Sequence, residues 1–157
     1  MKKTIIFCSV ILLFLTSTLL AQTKSITIPA TAFKPMNTTA DAYTGERYAY
    51  PTSTTYTHWG APIYLPDGAE VVKVTLFYYD GTGSKIQLRI VKTNLYDGSY
   101  SIPFYLASDL AGSAVTPATK SVSSYMKVNN TGYEHVVWIY FSSATNVQIW
   151  GVKIIYN

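Results

Sequence analysis

Few residues in this chain belong to types that perform chemistry. There are two histidines, His58 and His135, one cysteine, Cys8, and eight acids among 157 residues. His58 stands beside Trp59 with no second histidine or cysteine nearby, so a zinc ion would lack ligands there. His135 falls on the alternation Tyr133, Val137, Ile139, Phe141, which makes it an inward-facing strand residue. Asp67, Asp80 and Asp97 each sit next to or before a glycine in a turn, where a carboxylate accepts backbone amides. A glycoside hydrolase needs two carboxylates roughly 5 to 10 Å apart, and no spacing here marks such a pair. Serine-hydrolase, zinc-protease and phosphate-loop motifs are absent. No DxDxD-like spacing marks a calcium loop, although loop carboxylates and carbonyls leave that ion open. The expectation is a protein without catalytic residues, metal site or cofactor.

The aromatic surplus is the other chemical resource: fourteen tyrosines, three tryptophans and six phenylalanines. Tyr43, Tyr48, Tyr50, Tyr56, Trp59, Tyr96 and Tyr100 are all assigned by pattern to connections. Rings in loops can stack on a sugar or a partner protein while the hydroxyl stays hydrated. Tyr56, His58, Trp59, Tyr96 and Tyr100 are therefore the expected ligand-binding residues. A second set lies on strands. Phe77 and Tyr79, with Trp138 and Tyr140, fall on the outward alternation, where they would leave a large apolar patch on a monomer. That set is expected to form a homo-oligomer interface.

The elements that must position these residues are β-strands. Thr, Val, Ile and Tyr are plentiful, and no window shows apolar groups at helical spacing. Val72, Val74, Leu76 and Tyr78, then Ile86, Leu88 and Ile90 beyond Asp80-Gly81-Thr82-Gly83, predict a long hairpin with one apolar face. Residues 133–142 and 147–156 predict a second. Shorter strands are expected at 25–29, 46–50, 61–65 and 102–106, with one or two around Pro117 and turns at Pro66-Asp67-Gly68 and Asn129-Asn130-Thr131-Gly132. Seven to ten strands without a helix predict an all-β antiparallel sandwich of jelly-roll or Greek-key type.

Lys2 and Lys3 ahead of the apolar run 5–15, then small and polar residues to Ala21, read as a secretory signal peptide over residues 1–21, leaving one domain at 22–157. Export to the periplasm, cell surface or medium follows. No later run approaches the roughly 20 apolar residues of a membrane span. Removing Cys8 with the leader leaves no thiol or disulfide, so the core must supply stability. The net charge of +4 falls to +2 without Lys2 and Lys3, and the remaining cations are scattered, which argues against nucleic acid.

Ile28-Pro29-Ala30 with Phe33 and Pro35, Ala61-Pro62, Leu65-Pro66-Asp67-Gly68-Ala69, Tyr78-Tyr79-Asp80, Leu88-Arg89, Val128-Asn129-Asn130 and Gly151-Val152-Lys153-Ile154 with Tyr156 together resemble uncharacterised secreted β-sandwich modules of bacterial exported proteins. The resemblance spans nearly all of residues 22–157 and implies a fold, with no activity, ligand or catalytic residue. The functional expectation is an exported binding or adhesion module that recognises a glycan or a cell-envelope protein through loop aromatics. A structural subunit of a surface assembly is the alternative, and a carboxylate-dependent glycoside hydrolase ranks third.

Overall fold

The computed structural model describes residues 22–36, 42–44, 47–52, 57–83, 86–108, 114–142 and 146–157; the expected leader at 1–21 lies outside them. The strands are β1 (Lys24–Pro29), β2 (Lys34–Pro35), β3 (Ala42–Thr44), β4 (Ala49–Pro51), β5 (Thr57–Pro62), β6 (Glu70–Asp80), β7 (Ile86–Asn94), β8 (Tyr100–Ala107), β9 (Thr116–Lys127), β10 (Tyr133–Phe141) and β11 (Val147–Tyr156), with a 3₁₀ turn at Ala30–Ala32. They form two antiparallel sheets, one of six strands in the order β3-β4-β11-β6-β9 with β1 also on β11, the other of five in the order β2-β5-β10-β7-β8. The protein is an all-β sandwich. Among the described residues no helix is long and apolar enough to cross a membrane.

Neither predicted hairpin forms. β6 belongs to the six-stranded sheet and β7 to the five-stranded one, and β10 and β11 are divided in the same way. Each connection is a corner that carries the chain between layers, so Leu76 and Leu88 meet the same core from opposite sides. Alternation is identical in both arrangements, since the inward set faces the core whether or not the strands pair. The two corners sit together at one end. Gly81 donates its amide to the Asn146 carbonyl at 3.0 Å, and Asp80 accepts the Thr82 amide at 3.1 Å. The other turn acids behave as expected, Asp67 accepting the Asn130 amide at 2.8 Å and Asp97 that of Ser99 at 2.8 Å. At the open edge, Lys120 Nζ on β9 donates to the Tyr105 carbonyl on β8 at 3.0 Å, joining the two layers.

The core contains Val74, Leu76, Tyr78, Ile149, Val152 and Ile154 from one sheet and Trp59, Ile86, Leu88, Ile90, Val137, Ile139 and Phe141 from the other. Val72 is only half-buried and Val71 is buried instead, because a bulge between Val71 and Lys73 in the β6–β9 pairing shifts the alternation. Val91 is likewise buried, beside a second bulge between Ile90 and Lys92. The strand predicted at 61–65 begins earlier, at Thr57. This moves His58 and Trp59 out of a loop and into a sheet.

Gly151 has φ +153°, and a Cβ there would stand 2.9 Å from the Ile28 carbonyl oxygen. It occupies a bulge in β11 opposite Pro29, at the point where β1 lies against that strand. Gly151→Ala should cost about 1–3 kcal/mol, measured by denaturant unfolding, because both the dihedral and the close backbone oppose a side chain.

His135 is buried at 3% exposure, facing inward as predicted. Desolvation and then the Lys92 charge, which stands opposite it in register, hold its pKa below the usual 6.5. The unfolded state therefore binds more protons once pH falls below that value, and the histidine's contribution to stability, complete above it, is lost towards acid. Unfolding free energy should decline as pH drops from 6.5, and His135→Phe should flatten the decline. Leu76 and Leu88 are both fully buried. Their replacement by alanine should cost about 2–5 kcal/mol, read from the shift in urea midpoint.

Candidate carbohydrate-binding face

The outer face of the five-stranded sheet gathers aromatic and cationic side chains by parity. Because Ile86, Leu88 and Ile90 point inward, Gln87 and Arg89 point out; because Val137, Ile139 and Phe141 point inward, Trp138 and Tyr140 point out. Register then aligns them across the sheet. One rung runs Lys34, Gly60, Trp138, Arg89, Tyr105 over all five strands, and the next runs His58, Tyr140, Gln87, Ala107. Five strands span about 19 Å at roughly 4.8 Å each.

The rings touch one another. His58 lies 4.8 Å from Tyr140 and 6.5 Å, edge-on, from Trp138, between ring centroids. Tyr100 closes the other side at 5.9 Å from Trp138. The Arg89 guanidinium sits 5.9 Å from both the Tyr105 and Tyr140 rings, and its Nη2 donates to Gln87 Oε1 at 2.9 Å. Partial burial first, and the Arg89 charge second, lower the His58 pKa, so its imidazole is neutral at pH 7 and offers one donor and one acceptor. Beside Trp138 the face deepens into a groove of about 470 Å³, bordered by Lys34, Met36, Gly60, Tyr64, Glu134 and Val136. Gly60 forms its floor, where a Cβ would approach Met36 Sδ to 3.1 Å. Tyr64, 82% exposed, stands free on the rim.

The predicted binding residues separate. His58 and Tyr100 belong to this face. Trp59 does not: it is fully buried, pointing inward from β5 with its ring 5.1 Å from Phe141, so it serves the core. Tyr96 is 85% exposed in the β7–β8 turn, its ring over Gly132 rather than over the strip. Tyr56 lies outside the described residues. The predicted oligomer patch also divides. Phe77 and Tyr79 point out of the six-stranded sheet and Trp138 and Tyr140 out of the other, so the two pairs occupy opposite outer faces. A pair from each layer cannot form one contiguous surface. Arg89, Gln87, Tyr105 and Tyr64 were missed, and the outward parity of β7 would have flagged the first two.

A second ring cluster lies on the six-stranded sheet, where Tyr48 stacks at a tilt on Trp150 at 5.5 Å and on Tyr50 at 6.1 Å. Among the described residues no group of three or more histidines, cysteines or acids is placed to hold a metal ion.

No protein-family model matches the chain, and neither does any of the curated proteins. Solved structures do. The CBM22-1-GH10 modules of endo-1,4-β-D-xylanase 10B from Clostridium thermocellum, complexed with xylohexaose, superpose with a TM-score of 0.61 at 14% identity over 83% of this chain and 27% of that one. The C-terminal CBM6 of the laminarinase LamC from Zobellia galactanivorans gives 0.55 at 10% identity, covering 83% of this chain and 98% of the module. The GH26-CBM35 β-(1,4)-mannanase of Podospora anserina gives 0.50 at 12% identity, over 83% of this chain and 27% of that one. At such identities the likeness is one of fold, and the fold that this chain shares is the β-sandwich of carbohydrate-binding modules.

Proposed function

We propose that the protein is an exported, non-catalytic module that binds a polysaccharide chain along the outer face of the five-stranded sheet. The observation that carries this reading is the strip Tyr140, His58, Trp138 and Tyr100, whose rings touch in that order across the sheet, with Arg89 and Gln87 on β7 beside them. A pyranose ring presents an apolar C–H face and a girdle of hydroxyls. Aromatic faces remove the first from water, and the amide, guanidinium and imidazole satisfy the second, which is the mixture that sugar recognition demands. The adjoining groove gives the chain a continuation past Trp138. Sandwich likeness to modules from xylanase, laminarinase and mannanase chains supports the same class.

Binding is favoured over hydrolysis by the distribution of acids. Among the described residues of these five strands, the outer face carries one carboxylate, Glu134, whereas hydrolysis calls for two at roughly 5 to 10 Å. The second ring cluster and the outward Phe77 and Tyr79 belong to the opposite layer and take no part in this reading.

Trp138→Ala should weaken binding to the recognised glycan about thirtyfold or more, the loss of a central aromatic anchor costing at least about 2 kcal/mol. Affinity gel electrophoresis against a panel of soluble plant and algal polysaccharides reads this directly. Tyr96→Ala, away from the strip, is the matched control and should bind as wild type does. Unchanged affinity in a natively folded Trp138→Ala variant would overturn the proposal.

A further inference from the structure

We infer that the glycan bound on this face is acidic, with a carboxylate of a uronic-acid residue seated on Arg89. The inference rests on the carbohydrate reading above and adds the ligand's charge. Arg89 holds the centre of the face, opposite Trp138 on one side and Tyr105 on the other. Its guanidinium lies 5.9 Å from the rings of both Tyr105 and Tyr140, and its one side-chain hydrogen bond among the described residues, 2.9 Å to Gln87 Oε1, goes to a neutral amide. A guanidinium has five donors in a planar fork that matches a carboxylate, so most of this fork remains to be used by a ligand.

The surroundings favour an anion. Lys34 stands on the same rung, three strands away at about 14 Å by strand spacing, with Trp138 between the two charges. Lys120 joins the far edge beside Tyr105, bonded to its carbonyl at 3.0 Å. The single carboxylate described on the face, Glu134, is paired with Thr93 and lines the groove beyond Trp138, four residues along β10 and so about 13 Å from the rung that holds Arg89. The rung is thus cation, glycine floor, tryptophan, cation, tyrosine. A neutral chain would use the guanidinium only as a donor to hydroxyls, whereas a chain of acidic pyranoses engages its charge and its fork together.

The test compares purified protein and its Arg89→Gln and Arg89→Lys variants by isothermal titration calorimetry. Oligogalacturonate and oligoalginate are the acidic probes, xylo- and cello-oligosaccharides of equal length the neutral ones, and sulfated oligosaccharide the alternative source of anion. The expected result is tighter binding of the uronates, weakened by added salt, and a loss of about tenfold or more in Arg89→Gln, as one charge-assisted hydrogen-bonded pair implies. Arg89→Lys should recover part of the loss, since the charge stays while the fork is gone. Equal affinity for neutral and acidic chains, or Arg89→Gln binding uronates like wild type, overturns the inference and leaves the carbohydrate reading standing. Preference for the sulfated probe would also overturn the uronate assignment. Failure of every probe overturns both, and circular dichroism on each variant separates these outcomes from misfolding.

Discussion

The pairing of β11 with three other strands is the constraint on which the architecture depends. On one side it runs against β6 for nearly its whole length; on the other it meets β4 near Ile149 and β1 from Gly151 to Tyr156. One strand can serve two partners along a single edge only if the backbone turns aside between them. The bulge at Gly151 does this, and the space required by the Ile28 carbonyl makes glycine the residue for it. With β11 fixed, β6 is fixed beside it and β9 beyond. The two corners then deliver β7 and β10 to the opposite layer, where they become neighbours.

That neighbour relation creates the proposed recognition face. Trp138 and Arg89 come from strands that are far apart in sequence, and they adjoin because β10 and β7 pair in the one register that sets both inward sets against the core. A slip of one residue would send the rings inward and Val137, Ile139, Leu88 and Ile90 into water. At about 1.5–3 kcal/mol for each large apolar side chain exposed, such a slip is excluded. Burial of the inner residues therefore specifies the outer strip, and the site inherits its precision from the hydrophobic core.

This explains which features were legible in the sequence. Period-two alternation revealed the strands from 70 to 80, 86 to 94, 133 to 141 and 147 to 156 and the inward placement of His135, because burial writes itself locally. It also identified Trp138 and Tyr140 as outward. Pairing is a non-local property, and two long strands joined by a short connection look the same whether it closes a hairpin or rounds a corner between layers. Reading hairpins put Phe77 and Tyr79 with Trp138 and Tyr140, when they lie on opposite sides of the molecule. It also hid Arg89, whose significance comes from its cross-strand neighbours. The misassignment of Trp59 had a different origin: Thr57 to Gly60 has a weak strand pattern, and β5 forms because β10 offers it a full register from Thr57 to Pro62.

Placement on a sheet rather than on loops has an energetic consequence for binding. Tyr140, Trp138 and His58 are half-buried and packed against each other, so their rotamers are restricted before any ligand arrives. An exposed loop tyrosine such as Tyr96 would surrender that freedom on binding, at about 0.5–1.5 kcal/mol for each side chain immobilised. The strip incurs less of this cost. A neutral His58 extends the same logic. Keeping the imidazole uncharged beside Arg89 removes a repulsion from the face and leaves the guanidinium as the charge at its centre, the position from which the proposed selection of an acidic chain would act.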